Sequence, residues 1–331
     1  MEEKANKKIV LVVGATGQLG TAVVRKLVAR GHQPRAFVRS SSNFTHLEIA
    51  GVELAFGDLR DRKSIYAACN GIDTVIATAN AAVPREKTDT FIAVDDRGYA
   101  DLIDACKIHG VRHFIYASVT SDPKFDRLPL PRQKRVTEAR LRDSGLLYTI
   151  FRADAFMDVT FAMMGSDMPL RGSEAVTVAR PFWFSSKFFG KIKDDVSKGS
   201  VGILGDGNTR RSYVCVDDVA EFLVAAIDNP HANNATFDIG GPEALSQKQV
   251  VTIFEKLLSK SLKVRHTPAV VFKLAAPMMR FFSPAAANLM GLNYCCATTD
   301  SVIDMRETAK VFGVTLTSAE EFLRKKNALA P

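Results

Sequence analysis

Val10-Leu-Val-Val-Gly14-Ala-Thr-Gly17-Gln-Leu-Gly20 decides the fold. An apolar β-branched run, Ile9 to Val13, breaks at a glycine and passes into a stretch from Gln18 to Arg30 with apolar residues at helical spacing. In such a strand–loop–helix unit Gly14 permits the sharp turn, Gly17 lets backbone approach a pyrophosphate, and Gly20 lets the helix lie close to the sheet. The helix N-terminus then offers unpaired N–H groups and a partial positive charge to phosphate oxygens. The loop from Gly14 through Thr16, Gly17, Gln18 and Leu19 to Gly20 is therefore the candidate dinucleotide cradle. A tight turn that binds nothing is the plainer alternative.

The surrounding pattern supports the cradle. Short strands are expected at Lys8–Val13, Pro34–Val38, Val52–Phe56, Asp73–Ala77, His113–Ala117 and Tyr148–Phe151, with helices at Gln18–Arg30, Asp61–Cys69, Asp95–His109 and Pro131–Ser144. Strand–helix alternation with short connections predicts a doubly wound parallel sheet of Rossmann type, with helices on both faces. After Phe151 the rhythm loosens. A strand at Tyr213–Val216, a helix at Asp217–Asp228, a strand at Thr236–Ile239 and a helix at Ser246–Leu258 capped by Ser246 follow. This predicts a dinucleotide-binding core over 1–155, to which 205–240 returns. A smaller, discontinuous substrate lobe is expected from 156–204 and 241–331.

Composition sets the outer limits. The chain has 331 residues, 47% hydrophobic and 24% charged, which is ordinary globular usage. Its apolar runs stop well short of the roughly 18 residues that span a bilayer, and its start shows no secretory cleavage pattern. Five cysteines without a C-x-x-C pair argue for a reducing, cytoplasmic setting. The six histidines are scattered, and no metal site is expected. A net charge of +8 suits nucleic acid, an anionic membrane or an anionic cofactor, and does not choose among them.

The end of the second strand speaks to the cofactor. NAD enzymes place a carboxylate there for the ribose 2′-hydroxyl, whereas a basic residue accommodates a 2′-phosphate. Here Ala36-Phe-Val-Arg39-Ser40-Ser-Ser42 carries a guanidinium and hydroxyls, so NADP(H) is preferred over NAD(H), with Arg39 and Ser40 as contacts.

The G-x-x-G-x-x-G spacing, together with Gly57-Asp58-Leu59, resembles the short-chain dehydrogenase/reductase superfamily in its extended and atypical branches. More narrowly the chain resembles the NmrA-like and isoflavone-reductase-like group. Further matches are Asp95-Asp-Arg-Gly98, His113-Phe-Ile-Tyr-Ala-Ser118, the run from Ser144 to Arg152, the run from Arg211 to Ala220, and the run from Ile239 to Ser246. The resemblance covers about Lys8 to Leu258. It implies that Asp58 and Leu59 border the adenine, and that Ala77, Thr78, Ala79 and Asn80 line the ribose side. It also implies that the segment from Phe151 through Ala153 to Phe156 borders the nicotinamide. Asp58 has an alternative role, capping the helix that begins near Asp61.

Typical members of that superfamily use Tyr-x-x-x-Lys on one helix, where the lysine lowers the tyrosine pKa and holds the nicotinamide ribose. Lys134 stands at the expected distance after the fifth strand, but Leu130 occupies the position four residues earlier. The residues four after the six tyrosines are Asn70, Ile103, Thr120, Arg152, Asp217 and Thr298, so the pair exists nowhere. Two readings survive. Lys134, as a cofactor-ribose clamp or a general acid/base, with Ser118 or its competitor Thr120 polarising a substrate carbonyl, serves an atypical NADP(H)-dependent reductase of a small, fairly apolar substrate. Alternatively, the chain is a non-catalytic NADP(H)-binding redox sensor that acts on a protein partner. Lys134 as an exposed helix charge is the bland alternative, with Glu138 one turn on as a pairing partner.

Arg180 to Lys193 interleaves aromatic and basic residues and reads first as a pocket wall or lid, then as plain packing, with nucleic acid or a membrane surface as the remaining alternatives. Phe272–Met290 reads as an apolar helical face, first of all core, with a substrate pocket or an oligomer contact left open. Asp217 and Asp218 open a helix and are expected to stabilise its start. A small-molecule substrate is the expected partner, with no nucleic acid and no stable membrane insertion, while homo-oligomerisation stays open.

Overall fold

The computed structural model describes residues 8–173 and 195–329. Seven strands form one parallel sheet: β1 (Ile9–Val13), β2 (Gln33–Val38), β3 (Glu53–Phe56), β4 (Thr74–Ala77), β5 (His113–Val119), β6 (Leu147–Ala153) and a later strand, Ala235–Ile239. Their spatial order is β3-β2-β1-β4-β5-β6 followed by that later strand. The order reverses between β1 and β4, which opens a crevice at the carboxyl edge of the sheet beside the glycine loop.

Helices cover both faces. On one lie α2 (Arg62–Cys69), α3 (Tyr99–Ile108) and α4 (Pro129–Asp143), packed on Leu11, Val75, Phe114, Tyr116 and Ile150. On the other are α1 (Gln18–Ala29) and, past the short α5 (Met157–Met163), α6 (Val216–Ala225), packed on Val10, Val12, Ile115 and Phe151. Alternate residues of each strand thus feed opposite cores, as the period of two requires.

The strands after β6 that precede the last sheet strand are β7 (Ser200–Leu204) and β8 (Arg210–Arg211), and the last sheet strand is β9. Beyond it come β10 (Leu245–Ser246), α7 (Gln247–Leu258), β11 (Lys263–Thr267), α8 (Ala269–Met279), α9 (Pro284–Thr298), α10 (Arg306–Phe312) and α11 (Ala319–Asn327). β11 pairs in parallel with β7, and β10 pairs antiparallel with β8. This smaller C-terminal region has its own core, in which Phe161, Tyr213, Phe254 and Phe322 meet. Ser246 caps α7 through a reciprocal capping box with Gln249.

Three expectations change, and a fourth is not reached. Tyr213–Val216 forms no strand; Val214 makes a single bridge to Phe156 and α6 begins at Val216. The helix expected from Asp95 begins as a π-helical segment, Phe91–Gly98, that runs into α3. The expected apolar core helix near Phe272 is largely exposed, with Phe272 the one buried residue of α8. Arg180 to Lys193 lies outside the described residues.

Candidate functional site

The glycine loop has the form its spacing implies. Gly14 takes φ +91°, and a Cβ there would sit 2.7 Å from the Ala79 backbone nitrogen. A Cβ on Gly20 would collide with the Gly14 carbonyl. Gly17 begins α1 with no side-chain cap, and no acidic residue lies in the first turn. The Gln18 amide nitrogen is buried without a partner. An uncapped helix start, a cradle that only glycine fills and an orphaned amide donor suit a pyrophosphate.

Thr78 ties the end of β4 to this loop, since its N–H and hydroxyl both donate to the Val13 carbonyl, at 2.8 and 3.1 Å. Ala77 is buried, and the Asn80 side chain accepts the Ala82 N–H. The loop before the π-helical segment then folds back over the ends of β1, β2 and β3. Arg85 donates to the Thr16 carbonyl at 3.4 Å, Ser41 donates to Glu86, and Arg60 bonds Glu86 and Thr88.

Arg39 stands in this cluster, with Nη1 2.8 Å from Asp89 Oδ1 and 3.9 Å from Asp58 Oδ2. Burial of Arg85 and the nearby positive charge of Arg39 lower the Arg85 pKa. Arg39, Arg60 and Arg85 therefore gather at the ends of β2 and β3, and of the three only Arg39 stands in the sequence position expected for cofactor recognition. Ser40 is exposed beside them. Asp58 does not cap α2; Asp61 does, by accepting the Lys63 N–H. Burial pushes the Asp58 carboxyl up, but hydrogen bonds from Arg60 outweigh it and hold the carboxyl below its usual range. Leu59 is buried against Gly98.

Lys134 is buried, not an exposed helix charge. Its Nζ donates to the Ala117 carbonyl at 2.8 Å and lies 4.5 and 5.7 Å from the ring centres of Tyr116 and Tyr99. Burial pulls its pKa down to about 8, against the opposing pull of Asp95. Asp95, on the π-helical segment, is buried; desolvation pushes its carboxyl up to about 6, with Lys134 and the Ala81 N–H opposing. Its Oδ1 has no partner. Tyr99 donates its hydroxyl to the Ala79 carbonyl at 2.7 Å. One packed cluster thus connects Gly14, Ala79, Tyr99, Asp95 and Lys134.

Tyr99 and Tyr116 both stand in their protonated forms. Burial holds both well above the usual tyrosine pKa, and the Tyr99 proton is committed to Ala79. Asp95, Tyr99 and Tyr116 were not assigned roles from the sequence. Asp95 and Tyr99 stand four apart on one continuous helical run, and Tyr116 and Lys134 are brought to them from β5 and α4 by the fold.

Ser118 sits elsewhere in the polar network. Its hydroxyl donates to Glu138 Oε1 at 2.7 Å and accepts from Arg135 at 3.1 Å. Glu138 is buried and bonded to Arg152 and Arg135, so its partners are guanidiniums and Ser118, not Lys134. Thr120 is half-buried and its N–H donates to the Ala153 carbonyl. Phe151 is wholly buried among Phe222, Phe237 and Phe312, which places its ring in the core rather than at the edge. Ala153 is also buried, and Phe156 leads into α5. Asp154, next after β6, is paired instead with buried Arg211 at 2.7 Å. Asp217 and Asp218 lie in the first turn of α6, where Asp218 also accepts from Thr317.

Among the described residues no group of His, Cys, Asp or Glu could hold a metal ion, and no helix is long and apolar enough to cross a membrane.

This sheet order and glycine cradle define the doubly wound dinucleotide-binding class. The NmrA-like family model matches residues 6–323, so the chain belongs to the NmrA-like family. Among its relatives, the photosystem II assembly factor Ycf39 of Cyanophora paradoxa is 28% identical over 82% of this chain and 76% of its own. The bifunctional pinoresinol-lariciresinol reductase of Forsythia intermedia is 26% identical over 96% of this chain and 99% of its own. In structure, the Escherichia coli NADPH-dependent quinone oxidoreductase complexed with NADPH superposes with a TM-score of 0.71 at 19% identity. That match covers 96% of this chain and 99% of the other.

Proposed function

We propose that the protein is an NADP(H)-dependent reductase that acts on a small, fairly apolar substrate at the carboxyl edge of the sheet. The single observation that carries the reading is the buried Lys134–Asp95 cluster joined through Tyr99 and Ala79 to the glycine cradle. Burial lowers the Lys134 pKa to about 8, which keeps a transferable proton beside the cradle at neutral pH, and perturbed groups of this kind concentrate where protons are moved. Gly14 to Gly20 and the start of α1 would hold the pyrophosphate, and Arg39, Ser40, Arg60 and Arg85 the 2′-phosphate. Asp58 and Leu59 would border the adenine, and Ala77, Thr78, Ala79 and Asn80 the ribose side. When bound, the nicotinamide supplies the hydride. Lys134 holds the proton, the Tyr99 and Tyr116 rings exclude water from it, and Asp95 sets its charge state. The hydroxyl of Ser118 is engaged by Glu138, which leaves Lys134 as the leading proton donor. Residues 156–204 and 241–331 form the substrate-binding part in this reading. The five unpaired cysteines suit a reducing compartment such as the cytoplasm.

A second reading, an NADP(H)-responsive regulator, has one observation in its favour: Lys134 already spends a hydrogen bond on Ala117 within a closed ring wall. The name of the assembly-factor relative points the same way, and that of the plant reductase points to catalysis.

Calorimetry with NADPH, followed by NADPH consumption across quinones, enones and other apolar acceptors, tests the proposal. Turnover that Lys134→Met removes supports the reductase. Tight NADPH binding without turnover on any acceptor sinks it in favour of the regulator.

A further inference from the structure

Outside the glycine loop and its surroundings, the described residues leave an apolar surface on α8 uncovered. Helix α8 packs toward α9 through Phe272, while Val270, Val271, Leu274 and Met278 are exposed along its outer side. At the turn that follows, Phe281 and Phe282 are 80% and 76% exposed, more than any other large apolar side chain among the described residues. Val270, Leu274 and Met278 recur at i, i+4 and i+8, so they form a stripe rather than scattered contacts, and the two phenyl rings extend it. Isolated exposed apolar residues need no explanation, but a continuous stripe ending in two rings does.

Within the segment that carries the stripe every charge is positive, and the carboxylates near it, Asp206 and Asp300, stand at the Ala269 end of α8. Between Glu255 and Asp300 the sequence contains no carboxylate, yet it contains Lys256, Lys260, Lys263, Arg265, Lys273 and Arg280. Lys256 and Arg265 are paired with Glu320 and Asp195. Lys273 and Arg280 are exposed, seven residues apart beside the stripe, and neither has a carboxylate partner among the described residues. The Arg280 guanidinium lies 5.5 Å from the Phe281 ring centre.

We infer that the α8 face and the Phe281-Phe282 turn dock the protein on an anionic phospholipid surface. Charge complementarity chooses this occupant. A helix with a large apolar face and a basic border lies in the plane of the headgroups, rings and aliphatic chains inward, lysine and arginine toward lipid phosphates. A second copy of the chain would bring Lys273 and Arg280 against an equally basic partner face in a two-fold contact, and no carboxylate in the segment would relieve it. The docking is peripheral, since α8 has only 11 residues, too few to span a bilayer.

The test is co-sedimentation of the full chain with vesicles of phosphatidylcholine alone, and with vesicles in which about a third of the lipid is phosphatidylglycerol. The protein is expected to sediment with the anionic vesicles and not with the neutral ones, and to be released as salt is raised to about 0.5 M. Changing Phe281 and Phe282 to Asp should reduce partitioning by at least about tenfold, because it removes the two rings and adds repulsion. Lys273→Glu with Arg280→Glu, which leaves the rings in place, should do the same. All four positions are exposed, and matching thermal unfolding of the variants checks that the fold survives. No anionic preference overturns the inference, as does binding that both double variants retain. A concentration-dependent dimer lost with the phenylalanines, without vesicle binding, overturns it in favour of self-association.

Discussion

Arg39 Nη1 lies 2.8 Å from Asp89 Oδ1, an ion pair between the end of β2 and the loop that precedes the π-helical segment. The Asp89 side chain is only 7% exposed, and its other oxygen accepts the backbone N–H groups of Arg85 and Glu86. In the proposed reading the carboxylate occupies the guanidinium that a 2′-phosphate would need. Asp89 thus acts as a built-in competitor that also shapes its own loop.

That competition fixes the first prediction. Asp89→Asn keeps an oxygen for the two backbone amides and removes the charge, so NADPH affinity should rise several-fold while NADH affinity stays level. Arg39→Gln should weaken NADPH by about tenfold and leave NADH unchanged, consistent with the loss of one charge-assisted contact. Calorimetry with both nucleotides at one salt concentration checks the pair. Equal effects on NADPH and NADH would remove Arg39 from phosphate recognition.

Lys134 gives the second prediction. A proton donor must carry its proton, so with a pKa of about 8 the group is competent below that pH and loses its proton above it. In the reductase reading, kcat/KM should be level below about pH 8 and fall about tenfold per pH unit beyond it. Lys134→Met should lower kcat by about a hundredfold or more. NADPH affinity, measured separately, should change far less. A rate that passes through pH 8 without a break would remove Lys134 from proton transfer.

Asp95 separates positioning from bulk structure. Its negative charge raises the lysine pKa against burial, so Asp95→Asn should move the break in the pH profile below 8. Activity at neutral pH should then fall and recover as the solution is made more acidic. A purely structural loss would not be rescued by acid, and an unchanged break would show that the two charges are not coupled.

These residues also mark how far the sequence could be read. The glycine turn, all seven sheet strands and the helix that carries Lys134 follow from local periodicity and spacing, because each depends on neighbours within a few residues. Asp95 falls in a stretch whose apolar spacing reads as ordinary helix, and π-helical geometry leaves no distinct local signature. No tyrosine stands one helical turn before Lys134, while the structure brings Tyr99 from α3 and Tyr116 from β5 to the same amine. Arg85 reaches Arg39's surroundings because the loop after β4 folds back, and Arg60 reaches them from the turn after β3, which no pairwise spacing encodes. The face of α8 failed differently: its apolar residues look like core in any sequence, and only the fold shows that nothing described covers them.

Glu138 supports the last prediction. Its side chain is wholly buried and receives hydrogen bonds from Ser118 and Arg152, with Arg135 and Arg142 at 3.1 and 3.3 Å. Burial pushes the carboxyl up, but Arg152 and Arg135 outweigh it, so the folded pKa lies below the ordinary glutamate value. A depressed carboxylate pKa contributes stability that is present above the unfolded pKa and lost as pH falls through the folded one. Glu138→Gln leaves the guanidiniums without their shared carboxylate and should cost about 3 kcal/mol at pH 7. The difference from the native chain should shrink at acidic pH, where native Glu138 is also neutral. Urea unfolding at pH 7 and at progressively lower pH measures both. A midpoint at pH 7 that Glu138→Gln leaves in place would mean that Arg135, Arg142 and Arg152 find water as readily as they find this carboxylate.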